Sequence, residues 1–449
     1  METYRKALVL GMGVSGAAAA RLLLDEGSDV VAVDSRDTAE VATEAGKLEE
    51  AGAGTLAGCE VLPAGGFDVC IVSPGIAVDS EWMQEIGSRG IPVLPELELG
   101  ASRCGCPVLA VTGSNGKSTM VKLCGDALSL AGKRVALGGN YGRPLSELAR
   151  GSDGLDRIVA ELSSFQLETV RNFRPDVGVV LNIQPDHLDR HADMAAYARA
   201  KSALFDSMSE GDTGIVFEDD AERVAKLSRG RNRWVSFGTG MSVDYRYADG
   251  RVTWTEAGGV EKCLSVESTV FANDVMGLTV AATTAAVRAC GEDGMAVARA
   301  AADFEPLAHR MQLVAEAGDV AFVDDSKATN ISALKGALRM CPGPVRLVAG
   351  GLLKEGGLET AAELLAGKAT GIYLVGAAAE EMASAWGEAV KCELCGDLET
   401  AVRRAWADGV AGETILLSPG CASFDQFRNF EERGEKFTEL ARQLADERH

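Results

Sequence analysis

The sequence predicts an α/β protein built as three mostly parallel α/β blocks in series. Three observations carry this. Short apolar runs rich in Val, Ile and Leu alternate with helical stretches along the chain, the βαβ rhythm that makes a parallel sheet. Several of these runs end in a glycine turn or a lone acid, where open parallel sheets gather their ligands. The 449 residues also suffice for roughly two or three separate cores.

The first block opens with "KALVLGMGVSGAAAARLLLDEG", which reads as strand, glycine turn and helix. "DVVAVDSR" is a second strand ending in an acid, and "DVCIVSPGI" a third ending in a turn. Gly11-x-Gly13-x-x-Gly16 stands where a dinucleotide fingerprint belongs, and Asp34 follows in the ribose-binding place. Taken alone this suggests NAD and a dehydrogenase. A UDP-linked ligand fits equally well, because the pattern specifies only a diphosphate and a ribose.

The second block begins with "PVLAVTGSNGKSTMVK". Pro107 to Val111 reads as a buried strand. Gly113 and Gly116 let successive N–H groups turn toward one anion, with Ser114 and Asn115 between them. The helix that follows adds its positive end, Lys117 can reach outer phosphates, and Ser118 or Thr119 can ligate Mg²⁺. Val111 stands where the strict phosphate-loop pattern has its first glycine. Farther on, "RIVAELSSFQLE" places Glu161 at a strand end, and "VGVVLNIQPDHLDRH" supplies Asp186, His187 and His191 at the next. A carboxylate and an imidazole at strand ends near a phosphate loop suit a divalent metal.

Lys201 lies within an apolar helical stripe formed by Met194, Tyr197, Ala198, Leu204 and Phe205. On spacing alone, a lysine whose head reaches water at the stripe's edge is favoured over a buried one. A buried amine would have a lowered pKa and could take up CO₂ as a carbamate. The third block runs from "FEPLAHRMQ" through "VAFVDDSKATN", "VRLVAGGLL", "GIYLVG" and "TILLSPGCASFDQF". Its strand-end lysines and hydroxyls suit a small carboxylate, and Asp325 suits a nucleotide ribose. "DQFRNFEERG" reads as a helix-capping surface.

Charge and composition narrow the function classes. A net charge of −22 argues against nucleic acid or an anionic membrane as the main partner. No apolar run is long enough to span a bilayer, and the N-terminal run enters a strand rather than a signal peptide. The eleven cysteines sit mostly in apolar segments, as reduced thiols of a cytosolic protein do. Cys104/Cys106 and Cys392/Cys395 lack the further ligands a metal clip needs. A cytoplasmic monomeric enzyme is expected.

At this point the chain resembles the Mur ligases, ATP-dependent amino-acid-adding enzymes of peptidoglycan synthesis. The matching stretches are "SPGI", "VTGSNGKST", "GNYGRPL", "ELSSFQLE", "DHLDRH", "YARAK", "HR" at 309–310, "DDSKATN" and "LSPGCASFDQFRNFEERG". The last two resemble the D-glutamate-adding branch in particular. The resemblance implies a Rossmann-like UDP-sugar domain over 1–95, a central P-loop ATPase domain over 96–305, and a C-terminal Rossmann-like domain over 306–449 that supplies the amino acid and closes on ATP. It implies ATP, UDP-N-acetylmuramoyl-L-alanine and D-glutamate as substrates, with a pair of Mg²⁺ ions.

It also assigns roles by position. Val14, Ser15, Asp34, Ser35, Arg36 and Gly75 would hold the UDP-sugar, with Asn140 and Ser163 as further substrate contacts. The loop from Gly113 to Thr119, with Asn273, Arg310 and Asp325, would hold ATP. Ser118, Glu161, His187 and a carbamylated Lys201 would ligate metal, with Lys117, His187 and Lys201 catalytic. Lys327, Thr329, Lys354, Ser423, Phe424 and Phe430 would surround the incoming glutamate. Two stretches depart from the family pattern. "ANDVM" keeps Asn273 but has Ala272 and Met276 in place of polar residues, and "GGLLK" keeps Lys354 but has lost an acid and a glycine.

Overall fold

The computed structural model describes residues 3–188, 190–354 and 356–447. The chain forms two compact units. The first comprises the residues up to Ile183 with Ala195–Ala272 and Gly277–Asp303, and the second Gln184–Met194, Asn273–Met276 and the chain from Phe304 onward.

The first unit holds two sheets. The smaller is wholly parallel, with Lys6–Leu10 central between Asp29–Val33 and Val69–Val72, and with Gly54–Leu56 and Val93–Pro95 at the edges. Strand order reverses beside Lys6–Leu10, and that reversal opens a crevice at the strands' carboxyl ends. Both faces are covered. Ala17, Ala20 and Leu23 of helix Val14–Asp25 pack on one, and Phe67, Trp82 and Ile86 on the other.

The larger sheet has Val108–Thr112 flanked by Arg157–Glu161 and Val177–Val180, all parallel. These strands carry the residues that matter at their carboxyl ends. Beyond Arg233–Gly238 the sheet continues into an antiparallel extension, Tyr245–Ala248, Arg251–Thr255 and Glu261–Ser265. Its first turn is Asp249-Gly250, with φ of 48° and 74°, the two-residue hairpin that this dipeptide favours.

The second unit contains one sheet, ordered Gln312–Ala317, Val320–Asp324, Thr414–Leu417, Val345–Gly350, Ala369–Val375 and Cys392–Gly396. Only the first pair is antiparallel. Helix Phe430–Glu447 packs Phe437, Leu440 and Leu444 against one face, while Leu334, Leu365 and Trp386 fill the other. All eleven cysteines are free thiols. Among the described residues no helix is long and apolar enough to cross a membrane.

Candidate active site

In the first unit, a cleft of about 550 Å³ opens at the strand-order reversal of the smaller sheet. Val14, Ser15, Asp34, Ser35, Arg36, Gly75 and Asn140 all line it. Ser163 does not, but its N–H and hydroxyl both donate to Gln166 Oε1, and Gln166 is on the cleft wall. Helix Val14–Asp25 points its uncapped N-terminus here, with Gly13 as the cap residue and no side-chain acceptor. Such an end suits a diphosphate. Val14 is 72% exposed on the rim and offers apolar surface to a ligand.

Asp34 is already engaged. Its Oδ2 accepts the Met12 N–H at 2.9 Å, and both oxygens accept from the Arg36 guanidinium at 2.8 and 3.0 Å. Burial works to raise its pKa, but these bonds outweigh burial and hold the carboxyl below its ordinary range. Asp34 therefore orients Arg36, whose side chain stays 61% exposed, rather than standing ready for a ribose. That occupancy weighs against the dinucleotide reading of the glycine fingerprint.

The phosphate loop stands on the central strand Val108–Thr112 of the larger sheet. Gly116, with φ of 86°, is the cap residue of helix Lys117–Leu130, whose first turn buries Ser118 and Thr119. Asn182 pins the loop from the next strand. Its backbone carbonyl accepts the Ser114 N–H at 3.0 Å, and its Oδ1 accepts the Asn115 N–H at 2.9 Å. Ser118 Oγ donates to Glu161 Oε2 at 2.5 Å, and Asn140 Nδ2 to Glu161 Oε1 at 2.9 Å. Glu161 thereby joins the phosphate loop to the wall of the cleft.

Lys201 is buried, 1% exposed, which overturns the edge position that spacing alone favoured. Its Nζ donates to the Gly113 carbonyl at 2.9 Å and lies 4.5 Å from the Tyr197 ring centroid. Tyr197 in turn meets Ser114 Oγ at 3.1 Å. The helix that presents them ends at Ser202, and Ala203–Phe205 continues the stripe as a 3₁₀ turn. Lys117 Nζ folds back on the same loop, donating to the carbonyls of Gly113 and Ser114 at 2.8 and 2.9 Å.

The remaining candidates belong to the second unit. His187, with φ of 58°, has Nε2 3.6 Å from Asp186 Oδ2, which also accepts from Asn330 Nδ2 at 3.1 Å. Asn330 caps helix Ile331–Met340, and Thr329 precedes it. Asp325 accepts the Met311 N–H at 3.1 Å and the Ser418 hydroxyl at 3.0 Å. Burial pushes its carboxyl up to about 7, against the opposing effect of those bonds. Arg310 lies between His309 and Met311, two residues held at φ of 59° and 45°. His309 Nδ1 meets the buried Asp324 at 2.7 Å. Asn273 Oδ1 accepts the N–H groups of Val275 and Met276 at 3.1 and 2.9 Å, so it caps the start of helix Asp274–Ala289.

The glutamate candidates gather around two strand-end loops. Lys327 Nζ stands 3.6 Å from the Phe430 ring centroid, a cation–π contact. Leu352 and Ala422 exchange backbone hydrogen bonds at 2.9 and 3.0 Å, tying the segment that carries Lys354 to the one that carries Ser423 and Phe424. Ser423 is buried and Phe424 is 66% exposed. The departure "GGLLK" lies at this bridge. Leu352 contributes its backbone to this bridge, and Leu353 packs on the core that includes Ile331 and Leu334. Arg433, read from sequence as part of a capping surface, is instead buried. It donates to Ser326 O, Ser326 Oγ and Cys421 O at 2.8, 3.0 and 3.1 Å. Burial pulls its guanidinium down to about 10. A spacing signal existed, because Arg433 shares the 3.6-residue stripe of Phe430, Phe437, Leu440 and Leu444.

Comparison with known proteins gives the family of the chain. Residues 5–95 match the Mur ligase MurD-like N-terminal domain, 111–282 the Mur ligase middle domain, and 309–421 the Mur ligase glutamate ligase domain. The chain is 36% identical over 441 residues to the UDP-N-acetylmuramoylalanine--D-glutamate ligase of Acidobacterium capsulatum, covering 97% of this chain and 96% of that one. It is 37% identical over 453 residues to the enzyme of the same name from Desulfotalea psychrophila, covering 99% and 98%. Among solved structures, MurF ligase of Thermotoga maritima in complex with ADP shares the fold, with a TM-score of 0.63, 17% identity and coverage of 94% and 96%. The chain therefore belongs to the Mur ligase family, in the branch of the UDP-N-acetylmuramoylalanine--D-glutamate ligases.

Proposed function

We propose that the chain uses ATP to join D-glutamate to UDP-N-acetylmuramoyl-L-alanine. The observation that carries this reading is the continuity, within the first unit, from the nucleotide-sugar cleft through Asn140 and Glu161 to Ser118 of the phosphate loop. A ligand whose diphosphate lies at Gly13–Ser15 would extend its far end toward the place where phosphate chemistry is set up. The names of the relatives agree with that substrate.

The reaction has two steps. The terminal carboxylate of the alanyl group attacks the γ-phosphorus of ATP, and the bond to ADP breaks. The amine of glutamate then attacks the carbonyl carbon of the acyl phosphate. The tetrahedral adduct gives up the amine proton and expels phosphate, leaving an amide. Lys117 leaves its loop carbonyls to meet the outer phosphates, and the loop N–H groups orient them. Lys327, Thr329, Lys354, Ser423, Phe424 and Phe430 receive the glutamate, and Asn273, Arg310 and Asp325 the nucleotide.

The donor set fits Mg²⁺. Ser118 and Glu161 present hard oxygens to each other. Among the described residues no group of three His, Cys, Asp or Glu side chains gathers. In the first unit Ser118, Glu161 and a carbamate on Lys201 would hold the ion, and His187 is the candidate ligand carried by the second unit. The metal, when bound, offsets the repulsion between the attacking carboxylate and the phosphate. The domain boundaries are taken at 95 and 305, in support of which three sheets and three family matches succeed one another along the chain. The reading includes a cytoplasmic monomer.

The test is phosphate release with UDP-N-acetylmuramoyl-L-alanine and ATP against a panel of D- and L-amino acids. Release with D-glutamate alone is expected. Release with L-glutamate or with another amino acid reassigns the second substrate, and none with any amino acid points to a nucleotide-sugar-binding relative without catalysis.

A further inference from the structure

Helix Glu96–Arg103 follows the last strand of the smaller sheet and sends two glutamates into the interior of the first unit. Glu96 is 0% exposed and Glu98 5%. A carboxyl that deep is costly unless something holds it. Both are held by backbone N–H groups of the segments that build the far wall of the cleft. Glu98 Oε1 accepts from Arg171, Asn172 and Phe173, the last at 2.9 Å, just beyond helix Ser164–Leu167. Glu96 Oε1 accepts the Ser146 N–H at 2.8 Å, and Ser146 Oγ returns a bond to the Glu96 carbonyl at 3.2 Å.

What these bonds restrain is specific. Ser146 stands two residues past Pro144, which lines the cleft with Gly139, Asn140 and Gly142. Asn140 is the residue whose amide donates to Glu161. Gln166, on the short helix before the Glu98 loop, lines the same cleft. The fit at this joint is close, because a Cβ on Gly100 would lie 2.5 Å from the backbone of Leu145 and Ser146. Glu96 Oε2 is buried with no hydrogen-bond partner, so one carboxylate oxygen, with the backbone carbonyl, makes the connection.

We infer that Glu96 and Glu98 are positioning residues for the ligase reaction, fixing where Asn140 and Gln166 stand against the nucleotide-sugar half of the cleft. They touch no substrate. They act through the wall, so that the far end of the ligand arrives in register with Glu161 and the phosphate loop. Displacements of about 1 Å at such a wall cost up to on the order of a hundredfold in rate. This inference rests on the proposed reaction, and the parent enzyme's turnover is measured first so that a failure there is read separately.

The test compares Glu96→Leu, Glu96→Gln and Asn140→Ala by kcat and by the KM of each substrate. Glu96→Leu is expected to lower kcat/KM for the nucleotide sugar by about tenfold while the KM of D-glutamate moves less than about twofold. Glu96→Gln keeps the accepting oxygen and is expected to recover to within about threefold of the parent. Combined with Asn140→Ala, Glu96→Leu should add little further loss, because both act through one contact. Should Glu96→Leu not yield folded protein, Glu96→Asp draws the carboxylate back from the Ser146 N–H and should shift the same constant by about threefold. Unchanged kinetics in Glu96→Leu, or in Glu96→Asp where it stands in, overturns the inference. So do equal changes in all KM values, or full additivity with Asn140→Ala.

Discussion

The first unit contains the same device twice, strand then glycine turn then helix, and the two copies are prepared differently. The turn after Lys6–Leu10 is open. Its glycines and helix end line a cleft, and its acid Asp34 is saturated by Arg36 and Met12. The turn after Val108–Thr112 is closed on itself, with Lys117 and Lys201 both donating to the Gly113 carbonyl. An open turn holds a ligand without rearranging. On the proposed reading, Lys117 of the closed turn leaves its loop carbonyls when the phosphates arrive. A binding site gains from the first property, and a site that must not waste ATP gains from the second.

The largest effect is expected where the closed turn depends on a buried amine. Lys201→Ala should lower turnover by on the order of a thousandfold or more, because it removes both the Gly113 contact and the proposed carbamate. Added formate or acetate should restore part of the phosphate release. Full activity in the variant breaks the distinction between the two turns. Next in size is the open turn's own geometry. A Cβ on Gly16 would lie 1.8 Å from the Gly11 carbonyl oxygen, whereas one on Gly13 would meet nothing within 4 Å. Gly16→Ala should cost about 3 kcal/mol or more of stability, and Gly13→Ala about 1 kcal/mol or less, as read from urea unfolding. Equal losses would mean that the turn adapts, and that its openness is not built in.

Much of this is legible in the amino-acid sequence. Strand-end logic located Glu161 and the phosphate loop, because parallel strands deliver polar residues at their carboxyl ends wherever they occur. Burial was not legible from the same letters. A lysine in a helical stripe reads alike at the edge and at the centre. What decided the matter for Lys201 was a carbonyl 88 residues away. Arg433 failed for a different reason. Charge beside aromatic residues was read as surface, although its spacing placed it on the buried stripe. The anchor Asn182 and the joint at Glu96 gave no signal, since both act through backbone groups whose positions only the folded chain defines.

A smaller effect, and one that extends the contrast to the second unit, concerns Asp325. Its carboxyl stands at about 7 in the folded protein against 3.8 for the free group. Between those values the folded chain holds a proton that the unfolded chain has released. Stability from this group therefore falls as pH rises from about 4 to 7, with a slope approaching about 1.4 kcal/mol per pH unit. Asp34 has the opposite sign, since a carboxyl held low loses its contribution only in acid. Asp325→Asn should flatten the slope between pH 5 and 7 in urea unfolding. A parent slope unchanged by that substitution means that Asp325 is ionised throughout.

The smallest effect returns to the closed turn. Thr112 ends its strand with Oγ1 buried and without a hydrogen-bond partner. Thr112→Val exchanges that hydroxyl for a methyl of the same shape, so stability should rise by up to about 1 kcal/mol. If the loop works only through its backbone and its lysines, the KM for ATP should not change. A variant that is more stable but binds ATP worse would show that the hydroxyl is kept for the moment Lys117 leaves Gly113. The closed turn would then hold a third group in reserve, and the open turn has no counterpart to it, because Leu10 stands at that place.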